Sequence, residues 1–238
     1  MPLQLETVTE ERDFDEILPM LHEAFEQPHN ALHPWFMPIH TTVEGALADT
    51  KERTIKRWNQ GANTCWLKVT DTDSGRIVGA AEWATRNQDQ VASYRDPQKP
   101  IDAYWHIEGS EERVFAGRLL TLLSRFVKDR MARPHLELAQ LVVHVDHRRQ
   151  GIGRLLLDWG KRKADSLGLE SCVEAVPSSV PFYEAMGYGK MDVLVPDMSK
   201  EDPSAQWQKW ASEDLRVFLL WRPAGHDYQA DKDVAPWL

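Results

Sequence analysis

The segment Leu141–Leu157, LVVHVDHRRQGIGRLLL, puts three arginines and two glycines where an apolar run gives way to helical spacing. Gly151 and Gly153 leave the backbone bare, so a bulky group can approach it closely. The helix that opens there presents unpaired N–H groups at a positive dipole end. A phosphate or pyrophosphate suits that geometry, and Arg148, Arg149 and Arg154 bring positive charge to a chain of net charge −9. Two familiar phosphate loops do not match. The GxGxxG fingerprint lacks its third glycine, and GxxxxGK[ST] is absent. Three histidines, His29, His33 and His40, cluster in a proline-rich stretch, but without cysteine or HxxxH spacing, so no metal is expected.

The pattern R-x-x-G-x-G, with Arg148, Gly151 and Gly153 in its fixed positions, resembles the acyl-CoA pyrophosphate loop of the GNAT N-acetyltransferases. Downstream, PFYEAMGY (181–188) resembles that family's short helix and following strand. The likeness keeps element order from Ile77 to Tyr188 and extends more loosely from Leu3 to Trp221. It implies an α/β (α+β) GNAT fold, a central mixed, mostly antiparallel twisted sheet flanked by helices. It also implies direct transfer of an acetyl group from acetyl-CoA, without a metal, to the amine of a small molecule. A protein amine, or an acyl-CoA-binding module without catalysis, stays open as an alternative.

Carried over by position, the resemblance gives Leu141, Val142 and Val143 the pantetheine arm through main-chain groups of a splayed strand. The N–H groups of Arg149, Gln150, Gly151, Ile152, Gly153 and Arg154 would hold the pyrophosphate, with Arg148 heading the loop. Tyr183 would protonate the leaving thiolate, and a phenol of ordinary pKa near 10 carries its proton at pH 7. The Val143 N–H would stabilise the developing oxyanion. Two positions depart from the family: Val145 replaces a usual proline, and Val176 stands where many members carry asparagine, leaving Ser178 or Ser179 to supply a hydroxyl.

An ammonium has no lone pair, so something must take its proton. Glu137 is the first candidate. It precedes Leu141 by four residues, and strand parity puts it on the face of Leu141 and Val143. Glu82, in AAEWA, is the second. Trp35, Phe36, Tyr104 and Trp105 are candidate walls for the acceptor.

These groups need elements to hold them. Leu3–Thr9 alternates as a strand does, and Phe14 to Phe25 and Val43 to Trp58 repeat with helical spacing. CWLKVTD and RIVGAAEWA flank the turn residues DTDSG as a hairpin. Residues 85–110 are a polar excursion, and Glu112–Arg130 is a helix. The run HLELAQLVVHV leads into the glycine loop and an amphipathic helix stopped by Gly168. Strand ESCVEAV, a helix over Ser178–Met186, and strands KMDVLV and RVFLLW follow. A second insertion, 195–213, carries Trp207 and Trp210, and its indoles are expected to offer a partner surface, as in a homodimer. The tail beyond Pro223 reads as extended.

With 42% hydrophobic residues, the 238-residue chain can fill one sizeable core, and we read residues 1–238 as one domain. Its acidity argues against nucleic acid. Cys65 and Cys172 form no framework and read as small buried hydrophobes. No leader pattern or membrane-length apolar stretch is present, so a cytoplasmic protein is expected.

Overall fold

Strand-forming runs alternate with amphipathic helices, and the computed structural model, which describes residues 2–61, 63–95 and 99–238, gathers them on one sheet. In chain order the elements are β1 (Leu3–Thr7), α1 (Phe14–Glu26), α2 (His33–Phe36), α3 (Val43–Asn59), β2 (Thr64–Asp71), β3 (Ile77–Arg86) and α4 (Gln88–Ala92). Then come α5 (Glu111–Arg130), β4 (His135–Val143), α6 (Ile152–Leu167), β5 (Glu170–Ala175), α7 (Val180–Ala185), β6 (Gly189–Leu194), α8 (Ala205–Ala211) and β7 (Val217–Arg222). The strands lie in the order β1-β2-β3-β4-β5-β7-β6. Of the neighbouring pairs only β4 and β5 run parallel, joined through α6 as parallel strands must be by a crossover. None of the described helices is long and apolar enough to cross a membrane.

Helices cover both faces, which is why β3 is buried almost end to end and reads as a continuous apolar run. Helices α6 and α7 pack on one face around Leu67, Trp83, Leu138 and Leu156. On the other, α1 and α3 cover Trp66, Ala80 and Val142, while α5 covers Cys172, Leu219 and Trp221. Gly79 lets α6 sit close: a Cβ there would lie 2.4 Å from Cγ2 of Ile152, the first residue of that helix.

Three features add to the sequence reading. The Trp207 and Trp210 indoles turn into the chain's own core, against Phe115 at 4.9 and 5.4 Å between ring centroids. Burial of large apolar area inside one chain draws Trp207 fully and Trp210 partly into the core. The tail does not extend away. Asp227 pairs with Lys161 and Arg222, and Trp237 packs on Trp221. Cys65 is half-buried rather than buried, and both cysteines are free.

Candidate active site

Strand β4 ends at Val143, and the chain turns through a short 3-10 segment, Val145–His147, held by the His144 ring accepting from the Asp146 N–H. Arg149 (φ 64°) and Gly151 (φ 86°) are left-handed on either side of Gln150, which brings the chain abruptly into α6. Gly151 is the N-cap and offers no capping side chain. The first helical bond runs from Leu155 N–H to Gly151 C=O, so the N–H groups of Ile152, Gly153 and Arg154 precede the ladder. Around Gly151 the space is open, and a Cβ on Gly153 would lie 3.2 Å from the Phe182 ring and 3.8 Å from Val143. Bare donors, a positive helix end and an unobstructed approach together fit a pyrophosphate. Arg149 and Arg154 are exposed at its edge.

The guanidinium of Arg148 does not join that cradle. Nη2 donates to the Ala24 carbonyl at 3.0 Å and Nη1 to that of Gln27. Both carbonyls belong to the C-terminal end of α1, where a cation and extra donors are favoured. Arg148 therefore ties the loop to α1 through its side chain, and its charge is spent there.

Next to the loop the sheet opens. The β4–β5 ladder stops at Leu138↔Val173, although β4 continues to Val143 and β5 to Ala175. Leu141, Val142 and Val143 thus pair with β3 on one side while their β5-facing edge has no ladder partner. On the α6 side of the sheet Tyr183 packs in the core with Phe182 and Tyr188. Burial pushes its phenol well above the ordinary value, so it keeps its proton at neutral pH.

The register also corrects the parity argument for Glu137. A β-bulge between the Glu82↔Gln140 and Trp83↔Leu138 pairs inserts Ala139 as an extra residue. Leu136 and Leu138 then share the α6 face with Leu141 and Val143, and Glu137 points to the opposite face. There it lines a cavity of about 690 Å³, with Ala139, Gln140 and Glu174 at the strand opening. The volume is that of a small-molecule site. Apolar residues of α1 and α5, together with Phe36, Tyr104 and Trp105, form its walls. A second cavity of about 660 Å³ lies on the outer side of α5, away from the opening.

Glu137 accepts a hydrogen bond from Arg86 Nε at 2.6 Å. Glu82 is 3% exposed, sits behind Arg57 and accepts from its Nη2 at 2.9 Å. Burial raises the Glu82 carboxyl, partly offset by Arg57. Glu174 has no ion pair or hydrogen bond among the described residues, and its accessible surface faces the cavity. Glu174 is open to the cavity, and the partial loss of water there, then the Glu137 charge, push its carboxyl up to about 8.

The acetyltransferase (GNAT) family profile matches residues 29–188. The chain belongs to the GNAT acetyltransferase family. Among solved structures it is similar to a histone acetyltransferase HPA2-related acetyltransferase from Corynebacterium glutamicum, with a TM-score of 0.56, 17% identity, and coverage of 96% of this chain and 100% of that one. It is similar to a polyamine N-acetyltransferase from Drosophila melanogaster, with TM-score 0.57, 14% identity, and 92% and 99% coverage. A mosquito arylalkylamine N-acetyltransferase-like protein gives 0.55 and 14%, with 92% and 99% coverage. At such identities these likenesses concern the fold. Comparison with curated proteins finds no match.

Against the GNAT pattern, Val145 opens the 3-10 turn without needing proline, and Ser179 is engaged by the Val176 carbonyl at 3.0 Å, leaving Ser178 exposed. Trp35 is not an acceptor wall. It stacks in the core, 4.4 Å from Phe115 between centroids, and its carbonyl accepts from Trp105 Nε1. Sequence reasoning missed Glu174, Arg57 and Arg86. The signal for Glu174 was an acid inside the apolar stretch Cys172–Val176.

Proposed function

We propose that this GNAT protein moves an acetyl group from acetyl-CoA directly to the amine of a small molecule. The observation that carries this reading is the opening between β4 and β5, which lies between the loop of bare N–H donors on one face and the 690 Å³ cavity on the other. A thioester lying in the opening meets unpaired main-chain groups of β4 on its path and an amine arriving through the cavity. Such an arrangement converts a bimolecular encounter into a positioned attack.

The residues divide the work. The N–H groups of Ile152, Gly153 and Arg154 would bind the pyrophosphate, and the free β4 edge at Leu141–Val143 would hold the pantetheine arm. An N–H on that edge, at Val143, would stabilise the oxyanion. Tyr183, kept protonated by burial, would donate to the leaving thiolate. The size of the partly aromatic cavity, about 690 Å³, favours a small amine over a protein chain, in keeping with the small amines named for two of the similar structures.

The test is acetyl transfer to a panel of primary amines, read as free thiol released and acetylated amine by mass. Wild type is expected to acetylate at least one. Tyr183→Phe is expected to lose about 10²-fold in kcat, in the range of general acid contributions, with acetyl-CoA affinity retained. Thiol release without acetylated amine, or full activity in Tyr183→Phe, would contradict the assignment.

A further inference from the structure

We propose that Glu174, rather than Glu137, takes the proton from the acceptor amine; the inference rests on the acetyltransferase reading above. Glu174 is the first residue of β5 beyond the last rung with β4, so it stands where the sheet begins to part. Its neighbours two positions away, Cys172 and Val176, belong to the α5-side core. Its side chain therefore lies on the cavity face, across the opening from the bare β4 edge at Ala139 and beyond. A nitrogen reaching a thioester in the opening from the cavity passes this carboxyl.

The other carboxylates near the cavity are committed. Glu137 is bound to Arg86 at 2.6 Å and Glu82 to Arg57 at 2.9 Å. Taking up a proton would cost each of them a charge-assisted hydrogen bond. Glu174 has no such bond to lose. The other titratable groups on the cavity wall are His33 from α2, Arg53 and Arg57 from α3, Arg86 from β3, Tyr94, Tyr104, Lys128 from α5 and Glu137 from β4. Partial desolvation in the cavity and the Glu137 charge raise the Glu174 carboxyl to about 8. An ordinary glutamate near 4.3 is a weak acceptor from an alkylammonium near 10, and raising it narrows that gap. In this arrangement Glu137 is a positioning residue acting through its charge, which Arg86 holds in place.

The step balances. The ammonium N–H breaks, its proton goes to the Glu174 carboxylate, and the freed lone pair forms the C–N bond to the thioester carbon. The C–S bond breaks, the thiolate takes the Tyr183 proton, and Tyr183 recovers one from the acylated nitrogen. The Glu174 proton leaves to water through the cavity, one per turnover.

The test compares wild type, Glu174→Gln and Glu137→Gln by kcat/KM against pH, with acetyl-CoA and agmatine, spermidine or phenethylamine as acceptor. Calorimetric CoA affinity and the side-chain carboxyl 13C spectrum of glutamate-labelled protein complete it. In wild type the rate is expected to rise to a limb near pH 8. Glu174→Gln should lose that limb and about 10²-fold or more of kcat/KM, with CoA affinity unchanged. Glu137→Gln should keep activity within about tenfold and move the limb downward, because a neighbouring negative charge is gone. One carboxyl resonance titrating near 8 should vanish in Glu174→Gln. Wild-type activity in Glu174→Gln, or no glutamate titrating well above the ordinary range, would overturn the proposal. Loss of activity in Glu137→Gln alone would return the role to Glu137. No CoA binding and no transfer to any of the three amines would instead sink the acetyltransferase reading, and this inference with it.

Discussion

Arg148 and Arg154 have the same side chain and opposite uses. Arg148 bonds the carbonyls at the end of α1, whereas Arg154 is exposed on the first turn of α6 with no ion pair among the described residues. A cation at a helix C-terminus contributes about 0.3–1 kcal/mol, and up to about 2 when partly buried. Arg148→Met is therefore expected to lower Tm by a few degrees and leave acetyl-CoA affinity within about threefold. Arg154→Ala should do the reverse, leaving Tm in place and weakening binding most at low salt. Calorimetry at two salt concentrations and a thermal melt separate them, and matching effects from both variants would contradict the division. Glu174 makes a second prediction at this scale. Its carboxyl is raised from 4.5 to about 8 on folding, so between those values the folded state holds a proton that the unfolded chain has released. That contribution is present below pH 4.5 and is lost as pH rises through about 8. Melts of Glu174→Gln should gain on wild type across that window and run parallel above it. A constant offset at every pH would refute the linkage.

At the scale of elements, the site depends on how closely α6 sits on β3. Gly79→Val would drive a side chain into Ile152 Cγ2, 2.4 Å from the Cβ position, and Leu156 Cδ1 at 3.4 Å. Overpacking of this kind costs about 1–3 kcal/mol. Because Ile152 opens α6, the same variant should also weaken acetyl-CoA binding. A lower Tm with unchanged affinity would show that the loop does not rely on this contact. The strand–loop–helix unit itself was legible in the sequence, since the apolar run HLELAQLVVHV, the glycines and the 3.6-residue spacing after Ile152 are all local signals. The orientation of Glu137 was not. Parity assumes an unbroken pleat, and the extra residue at Ala139 appears only when β4 is laid against β3. The resemblance gave the cleft between β4 and β5, but the missing rungs past Leu138 that leave Glu174 free are a pairing property.

Across the whole molecule, the chain carries −9 of net charge, yet the start of α6 gathers bare main-chain donors and two exposed arginines, Arg149 and Arg154. The tail shows the same limit of sequence reading as Glu174. Residues beyond Pro223 look polar in isolation, but Asp227 reaches Lys161 and Arg222, and Ala235 and Trp237 close the α5-side core. Truncation after Pro223 should lower Tm by about 5 °C or more, given about 1.5–3 kcal/mol for each large apolar side chain returned to water. An unchanged melt would mean that this packing adds nothing. Everything in the functional account rests on acetyl-CoA lying against the start of α6. The most direct test is calorimetric titration of acetyl-CoA into wild type and into Gly151→Asp/Gly153→Asp, with thermal melts confirming that both are folded. We expect micromolar binding in wild type and none in the variant, where carboxylates would obstruct and repel the pyrophosphate. No binding in wild type, or equal binding in a folded variant, would contradict the account.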